Sequence, residues 1–216
     1  MRQFYSVLAV ATVSLVMSTQ AQAVLITTSD INQTTSTVAG VTNISFDGNN
    51  CAGYASCTGN FLIVNGSQSG QYATPYTDTS SYLTVGPYAT GTGNSATLSL
   101  GGAANYFGLF WGSIDTYNII SFFLGAAKVA SFSGAQLPSL SADGGRSLWA
   151  SNRYINFDFA SSAFDQVVLT SATRAFETDN HAFRRISVTE PMTLVMMGIG
   201  LLGLLATRRH TRDLHL

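Results

Sequence analysis

The chain has 216 residues and a formal net charge of −1, with 10% charged and 46% hydrophobic residues. Because it has no basic excess, it lacks the electrostatic footprint of a nucleic-acid-binding protein, and no nucleic acid is expected among its partners. His181 is the single histidine between residues 24 and 187, which disfavours a zinc site and Ser-His-Asp or Cys-His catalysis in that region.

The chain begins with "MRQFYSVLAVATVSLVMSTQAQA". Arg2 precedes an apolar stretch, and Ala21-Gln22-Ala23 has the small-x-small spacing of a signal-peptidase site. No charged stop-transfer residues follow directly, which disfavours the alternative of a first transmembrane helix. We therefore predict that residues 1–23 are a signal peptide with a helical apolar segment, and that the rest of the chain is exported.

Two cysteines, Cys51 and Cys57, lie close together in "NNCAGYASCTG". In an exported chain an even, closely spaced pair predicts a disulfide, here across a glycine-containing loop. By loop entropy it would contribute about 2–3 kcal/mol if unstrained. The alternatives are two free thiols or two metal ligands, and the second would need histidines that this region lacks.

Strand signals begin with "TNISFDG" (42–48) and become dense after Asn105. Residues 65–97 mix short alternating pieces with Gly, Pro, Asn and Ser, which favours strands on long surface loops. In "RYINFDFA" (153–160), every second residue is Ile or Phe, the period-two pattern of a half-buried strand. We predict an all-β ectodomain over residues 24–187, an antiparallel β-sandwich that is jelly-roll-like.

Two tryptophans are candidates for stacking on a sugar ring. Trp111 would act with Asp115 and Tyr117 as polar contacts, but it alternates with apolar residues on one strand face, which favours the alternative of a core residue. Trp149 lies in the loop-like segment "GGRSLWASNRY" and is the better binding candidate.

The closing strand carries the candidate metal ligands. Glu177 and Asp179 are two residues apart, hence on one side of a strand, and Asn180 follows. Asp47 in "FDGNN" would join them if the first and last strands pair. Such oxygens suit Ca²⁺, although Asp-Asn at a bend is also ordinary turn chemistry. A glycosidase would need two carboxylates about 5 to 9.5 Å apart, and the sequence shows no recognisable pair.

The end of the chain has a second apolar segment. Residues 192–206 carry no charge and would form a helix of about 22 Å, short against about 30 Å of bilayer hydrocarbon. Glu190 and Pro191 suit its N-terminus, and Arg208 and Arg209 after it are expected on the cytoplasmic side. The pattern predicts a single C-terminal transmembrane helix, with the ectodomain outside.

Three parts in order over residues 188–212 resemble a known sorting signal: Val188-Thr189-Glu190-Pro191, a short glycine-bearing apolar helix and an arginine cluster. They resemble the PEP-CTERM signal of exosortase-processed bacterial surface proteins, with Thr189 in place of the usual first proline. The resemblance implies that the tail anchors the chain in the inner membrane. An exosortase-type membrane protease would then remove it and release the ectodomain toward the cell surface and its exopolysaccharide.

The ectodomain has likenesses of its own. "YFGLFWGSIDTYNIISFF" and "RYINFDFASSAFDQVVLTS" look like recurring segments of ectodomains that carry this sorting tail. "FETDNHAF" is similar to the closing strand of jelly-roll carbohydrate-binding modules. None of these likenesses names an activity.

We therefore expect an exported, non-enzymatic surface or extracellular-matrix protein associated with exopolysaccharide. The alternative is a lectin-like carbohydrate-binding module with a calcium-organised site, and a weaker one is a glycoside hydrolase. Calcium is the one cofactor the sequence suggests.

Overall fold

The computed structural model of the chain describes residues 23–86 and 94–186, together with the helical residues Met197, Ile199 and Gly200. The predicted signal peptide up to residue 22, the sorting motif at 188–191 and the arginines at 208 and 209 lie outside the described residues. In the part that is described, no helix has the length and apolar character needed to cross a membrane.

The described residues form eleven β-strands and one short 3₁₀ turn, Gly134–Gln136. The first five strands are β1 Leu25–Thr28, β2 Thr42–Ile44, β3 Ser56–Gly59, β4 Phe61–Asn65 and β5 Ser81–Val85. The others are β6 Ser95–Gly112, β7 Asn118–Leu124, β8 Ala127–Ser133, β9 Arg153–Asp158, β10 Phe164–Ser171 and β11 Phe176–Arg185. All their pairings are antiparallel, so the prediction of an all-β antiparallel fold is confirmed.

The long strand β6 connects two groups of strands. Its first half, 95–99, pairs with β3 and β10, and β10 continues through β7 to β8. Its second half, 104–112, pairs with β9 and β11, which in turn carry β1, β2 and β5. The change of partners follows Gly101, whose φ of +73° is a backbone conformation that glycine adopts at little cost.

The inward side chains of the two groups share one core. The ring of Phe122 on β7 lies 5.2 Å from that of Phe157 on β9 and 6.0 Å from that of Phe107 on β6, measured between centroids. Ile155 on β9 belongs to the same buried cluster. Two groups of strands that face each other across one apolar core are consistent with a β-sandwich.

The opposite face of the β9-β6-β11 group is covered as well. The Ser36 hydroxyl lies 2.8 Å from that of Tyr106, and the ring of Trp149 packs 6.2 Å from that of Phe110. The half-buried pattern predicted for "RYINFDFA" is therefore incomplete, because Tyr154 on the outward face is fully buried too. The loops that carry Ser36 and Trp149 therefore make a second covered layer here.

Two further predictions are settled by the described strands. Cys51 and Cys57 form a disulfide with 6.3 Å between their Cα atoms, as predicted. The expectation of surface strands throughout 65–97 is wrong for β5, whose five residues are all buried. The reason is that both of its faces are covered: Leu83 and Val85 belong to the apolar core, and the Tyr82 hydroxyl on the other face donates to the carbonyl of Gly66 at 2.7 Å.

Candidate functional site

Two carboxylates of β11 lie on its outward face beneath the loop of residues 66–80. Glu177 is 3% exposed, and its Oε1 accepts a hydrogen bond of 2.9 Å from the backbone N–H of Ala73. Burial raises the pKa of Glu177 to about 7, although the Ala73 hydrogen bond favours the charged form. This carboxylate fastens the loop to the closing strand.

Asp179 has different partners. It is 0% exposed, and its Oδ2 lies 3.3 Å from the hydroxyl of Ser80. The same hydroxyl donates to Oδ1 of Asp78 at 2.6 Å, so one serine lies within reach of both carboxyl groups. Burial raises the pKa of Asp179 to about 8, and the negative charge of Asp78 acts in the same direction.

One oxygen of each aspartate is left without a partner. Asp78 Oδ2 and Asp179 Oδ1 are buried and accept no hydrogen bond from any described group, and the same holds for Glu177 Oε2. A buried polar atom without a partner costs about 1–3 kcal/mol, and more when it is charged. In a native fold such an atom calls for an explanation, such as a bound proton, water or ion.

A cavity of about 300 Å³ opens beside Asp78, which forms part of its lining. It lies between residues 32–34 and residues 77–80, and Phe110 and Asn180 complete its wall. A second cavity, of about 330 Å³, shares Asn180 and continues toward Ser36. Its other lining residues are Thr35, Asn43, Ile44 and Ser45.

A β-bulge in β11 aims these side chains. The register against β6 shifts between Asp179 and Ala182, and Asn180 has a φ of +49°. Asn adopts this left-handed region more readily than most residues. Because a bulge adds one residue to the strand, it reverses the alternation of faces. Asp179 thus points outward under the loop while His181 points into the core.

His181 is held as a neutral core residue. Its ring nitrogens lie 2.6 Å from the hydroxyl of Tyr54 and 2.9 Å from that of Thr178. Burial lowers its pKa to about 3. Both nitrogens are thus engaged in hydrogen bonds within the core.

The structure changes the set of candidate calcium ligands. β2 does pair with β11, as the prediction required, but Asp47 is exposed. Across the described ranges no hydrogen bond joins Asp47 to Glu177, Asp179 or Asn180. Asp78 stands beside Asp179 instead.

Sequence reasoning did not find Asp78. Its local signal is a turn in which Oδ1 accepts from the N–H and hydroxyl of Ser80, and such turns are common. Ser80 precedes Asp179 by 99 residues, so no local pattern joins them. Within residues 23–86 and 94–186, no group of three or more His, Cys, Asp or Glu side chains is arranged to hold a metal ion. A cation here would need neutral oxygens as well.

Trp111 is a core residue. It is 0% exposed and its ring stacks on that of Phe176 at 4.4 Å, so a sugar cannot reach it and its candidacy for stacking is corrected. Asp115 and Tyr117 remain partly exposed. The Tyr117 hydroxyl donates to the carbonyl of Arg174 at 2.7 Å, and burial raises the pKa of Asp115.

Trp149 keeps part of its surface accessible. Its ring meets the edge of Tyr76 at 5.3 Å and lies 6.2 Å from Phe110. Since Phe110 also lines the cavity beside Asp78, the loop tryptophan and the buried carboxylates belong to one side of the molecule.

The chain matches no protein-family model, no curated protein and no solved structure.

Proposed function

We propose that this chain is an exported, non-enzymatic surface or extracellular-matrix protein with a jelly-roll-like β-sandwich ectodomain. An exosortase-type protease releases it from the inner membrane, and it then associates with exopolysaccharide. The observation that carries the proposal is the order of an Ala-Gln-Ala leader at one end and a Glu-Pro, apolar helix and arginine tail at the other. The Cys51–Cys57 disulfide supports it, because disulfides persist in oxidising compartments.

Cell fractionation with a motif variant tests the sorting step. In a host with an active exosortase, Glu190→Ala should shift the protein from the released fraction to a larger, membrane-bound form, because the recognition motif is lost. Asp213→Ala, beyond the arginines, is the matched control and should leave release unchanged. Equal release of the Glu190→Ala variant and the unchanged protein would contradict the proposal.

A second function is favoured by the neighbourhood of Trp149. A lectin-like module needs an accessible aromatic ring near polar groups that fix a sugar. Trp149 packs on Phe110, which lines the cavity beside Asp78. Binding to a glycan array that disappears with a chelator and with Trp149→Ala would favour this function. Matrix retention without saturable sugar binding would favour the first.

A further inference from the structure

We propose that Asp78 and Asp179 form a binding site for a divalent cation of the calcium type, which fastens the 66–80 loop to strand β11. The proposal does not depend on release of the tail or on sugar binding. It rests on two carboxyl groups that share a serine hydroxyl and each turn one buried oxygen toward no described partner.

The site has negative charge without a matching positive side chain. Among the residues that the structure describes, the one ion pair joins Arg184 to Asp158 at 4.0 Å, and no Lys or Arg side chain pairs with Asp78 or Asp179. Isolated buried charges are costly unless they are paired, protonated or bound to a metal. A cation would supply the missing charge.

The donor atoms select the kind of cation. The two aspartates offer carboxylate oxygens, and the adjoining cavity is lined by Thr77, Thr79 and Asn180, whose side chains offer neutral oxygens. Calcium takes six to eight oxygen ligands in flexible geometry, waters included. Soft or borderline metals prefer thiolate and imidazole, but the described cysteines are joined in a disulfide and His181 faces the core. The chemistry therefore favours a hard, oxygen-seeking ion.

The placement gives the ion a mechanical role. Asp78 belongs to the 66–80 loop and Asp179 to the closing strand, so one ion would join two segments that are far apart in sequence. The loop already contacts β11 through the Ala73–Glu177 hydrogen bond. An ion bound at the other end of the loop would fix residues 77–80, which line the cavity opposite residues 32–34.

A shared proton is the competing explanation. One proton between the two carboxyl groups would also satisfy their free oxygens. The two explanations differ in what calcium does at a pH above 8. A cation site gains stability from calcium there, whereas a proton-sharing pair does not respond to it.

The test uses the full exported chain. If the purified protein still carries its C-terminal apolar segment, it is kept in detergent. Isothermal titration with calcium should show one site per chain, with a dissociation constant of roughly 10⁻⁴ to 10⁻³ M if it resembles extracellular modules. Asp78→Asn and Asp179→Asn should each weaken binding by about tenfold or more, because each removes a ligand charge. Thermal melting in calcium and in chelator gives a second readout.

The control variants are Asp47→Asn and Glu177→Gln. Both remove a carboxylate that the sequence suggested as a ligand, and both should leave calcium affinity within about twofold, since neither supplies an oxygen to this pair. Absence of calcium binding at millimolar concentration and pH above 8 would overturn the proposal in favour of the shared proton. Loss of binding in Asp47→Asn but not in Asp78→Asn would overturn the assignment of ligands.

Discussion

The buried carboxyl group of Asp179 depends for its hydrogen bonds on residues outside strand β11. It is fully buried, it shares the Ser80 hydroxyl with Asp78, and its remaining oxygen has no described partner. Its neighbour on the same face, Glu177, has a backbone N–H instead. Glu177 therefore holds the loop through its hydrogen bond, whereas Asp179 has an oxygen available to a proton or a cation.

The pH dependence of stability follows from these two groups and from His181, whose pKa is shifted the opposite way. The pKa of Asp179 is raised to about 8 and that of Glu177 to about 7, so between pH 4 and 8 these two groups bind more protons in the folded state than in the unfolded state. His181, whose pKa is lowered to about 3, offsets one of them below about pH 6.5, and a net excess of protons in the folded state remains. Stability should therefore fall as pH rises through this window, and level off above it. Urea unfolding of the full chain in chelator, at a series of pH values, measures the slope.

The variant Asp179→Asn isolates the contribution of Asp179. An amide does not titrate, so the variant should lose less stability between pH 4 and 8 than the unchanged protein. Asp47→Asn, at an exposed position, is the matched control and should keep the original slope. Identical slopes for Asp179→Asn and the unchanged protein would contradict this assignment.

At the scale of elements, the 66–80 loop is held against the outward face of β6 and β11. Gly112 on β6 makes this approach possible, because a Cβ added there would lie 2.8 Å from Cβ and 2.9 Å from Cα of Pro75. Real Cβ atoms essentially never come so close. The loop that carries Asp78 and Ser80 therefore depends on a glycine in the strand beneath it.

Gly112→Ala should displace the 66–80 loop from the face of β6 and β11. The expected cost is about 1–3 kcal/mol in free energy of unfolding, as for overpacking elsewhere, together with faster chymotrypsin cleavage after Tyr72 or Tyr76. Gly102→Ala in the same strand is the control, since its added Cβ would meet only Arg185 Cδ, at 4.0 Å. Equal cleavage rates for the two variants would show that the loop does not rest on Gly112.

At the scale of the whole molecule, local sequence patterns predicted the all-β fold class and the disulfide bond. Alternation in "RYINFDFA" predicted the inward Ile155 and Phe157 correctly, and the spacing of Cys51 and Cys57 predicted their disulfide. Alternation reports only that successive residues face opposite ways. It could not reveal that loops cover the second face, so Tyr154 is buried where a half-exposed strand was predicted.

The candidate site was less predictable, for a related reason. Asp179 and Asn180 are adjacent and were found, but Asp78 reaches them through a loop that folds back on the sheet. The bulge at Asn180, which aims Asp179 outward and His181 inward, has no signal beyond the tolerance of Asn for positive φ. Long-range pairing and loop cover decide this site, and neither is a local property of the sequence.

The intact mass of the mature protein, isolated from cells with an active exosortase, shows whether the leader and the tail are both removed. We expect a chain that begins at Val24, ends close to Thr189-Glu190-Pro191 and is two hydrogen atoms lighter than its reduced form, because Cys51 and Cys57 are joined. Retention of Met1 or Arg2 would contradict export through the leader. Retention of Arg208 and Arg209 would contradict processing of the tail and leave a permanently anchored protein.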